Sequence, residues 1–86
     1  MASVRKLKKE INNMVFDVVE ECYSIQLFNP SKKEKTDKFI DEAADFMNEM
    51  MTKINSATSK KEYNAIVSEA ETTAEKWIER LNKLQG

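Results

Sequence analysis

The residues of this chain that could carry chemistry are few, and a lone cysteine is the first of them. Cys22 lies between Val18 and Ile25 at helical spacing, on the apolar side of a predicted helix. A reactive thiolate needs solvent access and a lowered pKa, whereas a thiol on an apolar stripe behaves as a small hydrophobic side chain. We therefore expect Cys22 to be a core residue, and a single cysteine excludes an internal disulfide and fits a reducing compartment.

The other polar residues form no recognisable catalytic or metal-binding motif. The chain has no histidine, the usual general base near neutral pH, and its single glycine is the last residue, so a glycine-rich phosphate loop is excluded. Seven carboxylates lie opposite the apolar stripes of two predicted helices, as a solvated face does: Asp41, Glu42, Asp45, Glu49, Glu71, Glu75 and Glu79. We predict a protein that is not an enzyme, with no catalytic residue, no metal site, no cofactor and no small-molecule substrate.

Basic residues gather near the predicted helix ends. One end would hold Arg5, Lys6, Lys8, Lys9, Lys53, Lys60 and Lys61, and the other Lys32, Lys33, Lys35 and Lys38. The net charge is nevertheless -1, and no aromatic stacking run or recognition motif accompanies the lysines. Binding of nucleic acid through these lysine-rich ends is therefore the alternative function, not the leading one.

The apolar spacing predicts three helices, at about residues 4–28, 32–55 and 60–85. Ser3 is a candidate N-cap for the first helix, and Asn29-Pro30 ends it because proline cannot continue a helix. Ser31 to Glu34 and Ser59 to Glu62 both have capping-box spacing, in which each end residue satisfies a free backbone N–H of the other.

Three helices of similar length with short connections predict an all-α, up-down-up antiparallel three-helix bundle, with residues 1–86 as one domain. The first predicted core stripe is Val4, Leu7, Ile11, Val15, Val18, Cys22 and Ile25. The second is Phe39, Ile40, Ala43, Phe46, Met47, Met50, Met51 and Ile54, where methionines are better explained as core than as a ligand cavity. The third is Tyr63, Ile66, Val67, Ala70, Ala74, Trp77, Ile78, Leu81 and Leu84.

The first helix carries a second apolar face besides its core stripe. Its members are Phe16, Val19, Tyr23 and Leu27, which lie roughly 90–180° around the helix from the first stripe. Val19 can be absorbed at the edge of the core, but the other three are too far around the helix unless the bundle is strongly tilted. We expect an exposed patch of a few hundred Å², the size at which apolar surface usually marks a contact.

The leading hypothesis is a non-catalytic protein–protein interaction module that associates through this face, as a homodimer or with another protein. The process it serves is not indicated by any residue. The partner is the protein itself or another protein, and no membrane is involved because no apolar run approaches the roughly 18 residues of a membrane span. No signal peptide is evident, so we expect a cytoplasmic location.

A resemblance adds one expectation. The stretch Val-Arg-Lys-Leu-Lys-Lys-Glu-Ile-Asn-Asn at 4–13, followed by Glu20-Glu21-Cys22-Tyr23, resembles small uncharacterised all-helical proteins of Bacteroidetes-type bacteria. The resemblance covers mainly the first helix. It implies a cytoplasmic protein and no particular activity, cofactor or partner.

Overall fold

The computed structural model describes residues 4–85 and shows three α-helices that run up, down and up. Helix α1 spans Val4–Phe28, α2 spans Lys33–Ser56 and α3 spans Lys60–Gln85, and a 3-10 turn at Pro30–Lys32 precedes α2. The bundle measures 45 × 18 × 16 Å. The predicted fold class is confirmed, and the helix ends differ from the predicted ones by at most one residue. The proposed cap Ser3 lies outside the described residues.

The first connection is formed by proline geometry and not by the expected capping box. Asn29, at φ -143°, turns the chain out of α1, and Pro30 begins the 3-10 turn, where its missing N–H costs nothing. The hydroxyl of Ser31 donates to the side-chain oxygen of Asn29 at 2.5 Å. Lys32 occupies the N-cap position of α2 without a side-chain hydrogen bond. The prediction of a Ser31–Glu34 box is wrong because the turn delays the start of α2 to Lys33.

The second connection does use its predicted cap. The backbone N–H of Glu62 donates to the hydroxyl oxygen of Ser59 at 3.2 Å. The Glu62 carboxylate in turn accepts a hydrogen bond from the backbone N–H of Thr58 at 2.8 Å, one residue before the expected position. Two backbone donors at the start of α3 are thereby satisfied.

The core consists of two groups of buried side chains, one towards each end of the bundle. The first group comprises Val15, Val18, Cys22, Phe39, Ala43 and Trp77. The second comprises Ile11, Met50, Ile54 and Ile66. Phe46 is partly buried and packs against both groups. The two groups therefore join into one continuous hydrophobic interior.

Two residues depart from the predicted core. Ile78 was assigned to the core stripe of α3, but 59% of it is exposed. Trp77 takes the inward position, and Ile78 follows it by about 100° of rotation, which carries Ile78 off the contacting face. Thr36 was not predicted, yet it is fully buried, and its hydroxyl lies 3.1 and 3.0 Å from the carbonyl oxygens of Lys32 and Lys33. The buried hydroxyl of Thr36 therefore has hydrogen-bond acceptors within its own helix turn.

The three helices do not pack with equal spacing. The backbones of α1 and α2 approach each other closely over most of their length, whereas α2 and α3 approach least. Small buried residues such as Cys22 and Ala43 allow the close approach of α1 and α2. The Trp77 ring holds α3 farther out, since it meets Phe39 and Phe46 edge-on at centroid distances of 5.8 and 5.1 Å. Hence α1 and α2 form a tight pair, and α3 packs across it.

Candidate interaction surface

The second face of α1 is largely exposed. Phe16 is 62% exposed, Tyr23 57% and Leu27 79%. These fractions are large for aromatic and aliphatic side chains of a small bundle, where the same helix buries Ile11, Val15, Val18, Cys22 and Ile25. The tilted packing that would bury the second face is therefore not what the structure shows.

Val19 occupies the inner edge of this face. It is partly buried and packs against the core group that contains Val18 and Cys22. The second face is thus continuous with the core along one side. Its outer members, Phe16, Tyr23 and Leu27, project into solvent from a rigid helical support.

A neighbouring strip of α2 extends this surface. The amide nitrogen of Gln26 donates to the carboxylate of Asp37 at 2.6 Å, which fixes the antiparallel register of α1 and α2. At equal heights in this antiparallel pair, the residue number on α1 falls by one as the residue number on α2 rises by one. Tyr23 falls level with Ile40, Val19 with Ala44, and Phe16 with Met47.

The side of α2 that bears this strip is established by contacts. Asp37 reaches α1, whereas Glu42 and Lys53 lie on the opposite side and reach Arg80 and Glu69 of α3. Four residues share the side of Asp37 by helical spacing and are exposed or partly exposed: Ile40, Ala44, Met47 and Met51. We call them the α2 strip. Helical spacing alone does not identify the α2 strip as surface, because Ile40, Met47 and Met51 also border the core.

Carboxylates lie among and beside the apolar residues of the combined surface. Glu20, four residues after Phe16, is exposed on the same side of α1, and exposed Asp41 and Asp45 lie near Ala44 on α2. Asn12, four residues before Phe16, and Asn48, four residues after Ala44, continue both helices with neutral polar side chains. The combined surface is therefore mixed, with exposed apolar side chains beside carboxylates and amides.

Two other exposed apolar residues do not belong to this surface. Phe28, which was expected close to it, is 84% exposed but borders a shallow depression with Leu84 and Gln85 at the end of α3. Ile78 lies on α3. Apart from Phe28, the large exposed apolar residues of α1 are therefore those of the second face.

Cys22 is a buried core thiol, as predicted. It is fully buried among residues of all three helices, including Phe39 and Trp77. Burial raises the pKa of the thiol from 9.0 to about 11, the positive charge of Arg80 partly offsets this, and Glu21 adds to it. A neutral, inaccessible thiol is a poor nucleophile, so Cys22 contributes packing and not reactivity.

Three acidic residues of α2 and α3 pair with cations: Glu42, Glu49 and Glu69. Glu42 forms an ion pair with Arg80, whose guanidinium also lies 4.1 Å from the centroid of the Phe39 ring. Glu69 and Glu49 lie 2.9 and 3.3 Å from the ammonium of Lys53, and hydrogen bonds to both raise the pKa of Lys53. Across residues 4–85 no group of three or more acidic or thiol side chains is arranged to hold a metal ion.

The basic ends present fewer accessible charges than the sequence suggested. Lys53 is held by Glu69 and Glu49, and the ammonium of Lys32 donates to the carbonyl oxygen of Leu84. The predicted meeting of the α1 start with the α2–α3 connection is observed, since Leu7, Ala57 and Tyr63 pack on one core group. Nucleic-acid binding through these ends stays a prediction.

A shallow, largely apolar groove lies between α1 and α3. Its floor is Leu7, Ile11, Met14, Val67, Ala70 and Ala74, and Glu10 and Glu71 lie on its two sides. The small side chains of Ala70 and Ala74 leave it open to solvent. It has no convergent polar groups of the kind that orient a small ligand.

No protein-family model, curated protein or solved structure matches this chain. The resemblance to small helical proteins of Bacteroidetes-type bacteria thus stays a prediction. Within residues 4–85, no helix has the length and apolar character needed to cross a membrane.

Proposed function

We propose that this protein is a non-catalytic interaction module that binds a protein partner through the second face of α1. The partner is a second copy of the chain or another protein. The proposal includes a cytoplasmic location, which is supported by the free, buried thiol of Cys22.

The observation that carries the proposal is the exposure of Phe16, Tyr23 and Leu27 on one side of a single helix. Aromatic side chains present roughly 150–250 Å² each when fully exposed, so these three residues together expose on the order of 350 Å². An apolar patch of this size on a small monomer is typical of a binding surface. Phenylalanine and tyrosine on a preformed helix also bind at small entropic cost, because few side-chain torsions must be fixed.

The proposal is tested by comparing what Phe16→Glu, Tyr23→Glu and the unchanged protein bind. Each protein is immobilised through its C-terminus and exposed to native lysate and to soluble, untagged wild-type protein. A carboxylate at the centre of the face should abolish binding of the partner, since it would be buried without a counter-charge. Because both sites are exposed, the helical circular dichroism signal should remain unchanged.

Ile78→Glu is the matched control. Ile78 is 59% exposed, nearly the same as Tyr23, but it lies on α3. It should bind the same partner as the unchanged protein. If Phe16→Glu and Tyr23→Glu retain all binding, or if they unfold the chain, the second face is not an interaction surface.

A further inference from the structure

We propose that the groove between α1 and α3 binds a basic amphipathic helix of another protein. The groove lies on the opposite side of α1 from the second face, because Met14 on its floor and Phe16 on that face are two residues, or about 200° of rotation, apart. The inference therefore goes beyond the proposed function and concerns a separate surface.

The floor of the groove is apolar and has the length of a docked helix. Two depressions between α1 and α3 share Leu7 and Val67, so they form one groove, which extends along α3 from Tyr63 to Ala74. This stretch is about 16 Å long, or three helical turns. Ala70 and Ala74 are one turn apart, and their small side chains leave space for larger side chains of a partner helix.

Carboxylates border the groove along both of its sides. Glu10 and Asp17 share the groove side of α1 by helical spacing, and Glu71 and Glu75, one turn apart, lie on α3. All four residues are exposed. Within residues 4–85 none of the four carboxylates forms an ion pair or a side-chain hydrogen bond, unlike the paired glutamates between α2 and α3. The groove therefore presents negative charge without internal counter-charge.

This arrangement matches a row of cationic side chains and not a single ion. Glu10 and Asp17 are separated by about 10 Å along the helix axis, and no group of three or more acidic or thiol side chains in the described part of the chain could hold a metal ion. The carboxylates would also repel the phosphates of a nucleic acid. The basic residues Lys6 and Lys60 lie at the lower end of the groove, so the acidic stretch begins above them.

A helix with lysine or arginine on both sides of an apolar stripe fits both features. Its stripe would lie on the floor of the groove, and its cations would lie beside the carboxylates of α1 and α3. Because these charges are solvated, they would contribute more to the association rate and to specificity than to affinity. We expect a complex that dissociates in the micromolar range.

A synthetic peptide tests the proposal. The probe is a fluorescein-labelled helix of about 18 residues, made of leucine, alanine and lysine with all leucines on one side. Fluorescence anisotropy should show that the full chain binds this peptide, and that binding weakens as NaCl is raised from about 50 to 500 mM. A peptide with glutamate at every lysine position should not bind, and neither should one with glutamine at every leucine position.

Two double variants locate the bound peptide. Glu10→Gln with Glu71→Gln keeps the size of both side chains and should raise the dissociation constant about tenfold. Glu20→Gln with Asp45→Asn is the matched control, since it removes the same charge from exposed sites of α1 and α2 outside the groove. The control should change the dissociation constant by less than about twofold.

The other outcomes overturn the proposal. No binding up to about 500 µM excludes the basic helix as the occupant. Equal losses in both double variants would mean attraction by net charge alone, and a loss only in the control pair would place the peptide on the second face. Phe16→Glu should bind the peptide as the unchanged protein does, so failure of the groove leaves the proposed function standing.

Discussion

Cys22 and Tyr23 are neighbours in the chain with opposite surroundings. Cys22 is fully buried, whereas 57% of Tyr23 is exposed. One residue of α-helix rotates a side chain by about 100°, which suffices to move it from the core to the outer side of α1. At this scale spacing alone predicts much of the structure, because α1 is long and regular.

The buried thiol predicts how stability depends on pH. The native pKa of Cys22 is about 11 and the unfolded value is 9.0, so the unfolded chain loses the proton first as the pH rises. The contribution of the thiol is intact below pH 9 and is lost between about pH 9 and 11. We expect the free energy of unfolding to fall by about 2 kcal/mol more in the unchanged protein than in Cys22→Ala between pH 8 and 10.5.

Urea unfolding of both proteins at the two pH values measures this difference. The comparison cancels the other ionisable groups, because both proteins contain all of them. Parallel losses of stability would show that the thiol titrates normally and is accessible.

At the scale of elements, the two connections have the same capping spacing and different structures. Ser59 caps α3, whereas Ser31 is held within a 3-10 turn that Pro30 begins. The spacing from serine to glutamate is therefore insufficient by itself. The proline geometry preceding α2 decides which backbone donors are free.

This difference predicts unequal effects of the same substitution. Ser59→Ala removes the hydroxyl that accepts from the Glu62 N–H and should lower the free energy of unfolding by about 1 kcal/mol. Ser31→Ala removes no cap and should change it by less than about 0.5 kcal/mol. Chemical denaturation followed by circular dichroism compares the two variants, and equal losses would contradict the assigned role of Ser59.

At the scale of the whole molecule, α3 packs on the tight α1–α2 pair through two buried side chains, Ile66 and Trp77, and the Trp77 ring is the larger. Trp77 is 6% exposed and meets both Phe39 and Phe46. The ion pairs Arg80–Glu42 and Lys53–Glu69 border the same helix contact but are partly solvated, so each contributes little.

Removal of this ring should therefore strongly destabilise the folded molecule. Trp77→Ala should cost about 3–5 kcal/mol, which approaches the total stability of a domain of this size, about 4–13 kcal/mol at typical values per residue. We expect the midpoint of urea unfolding to fall sharply, with all helical signal lost in one transition. Its neighbour provides the control, since Ile78→Ala, at an exposed site, should change the midpoint little. Similar midpoints for Trp77→Ala and the unchanged protein would refute the role given to the ring.

The sequence by itself determined the three helices, their order and most of the core, because long amphipathic periods and a single proline leave few alternatives. It also predicted a second apolar face on α1, but left open whether a strongly tilted packing would bury it. These properties follow from the geometry of one helix at a time.

Only the tertiary structure decided what depends on how the helices meet. It showed Ile78 exposed and Thr36 buried, since the position of Trp77 and the approach of α1 to α2 set those environments. It also placed the α2 strip beside the second face, through the register that Gln26 and Asp37 fix. Spacing along a chain gives the direction of a side chain from its own helix, but the neighbouring helix determines whether that direction leads to the core or to solvent.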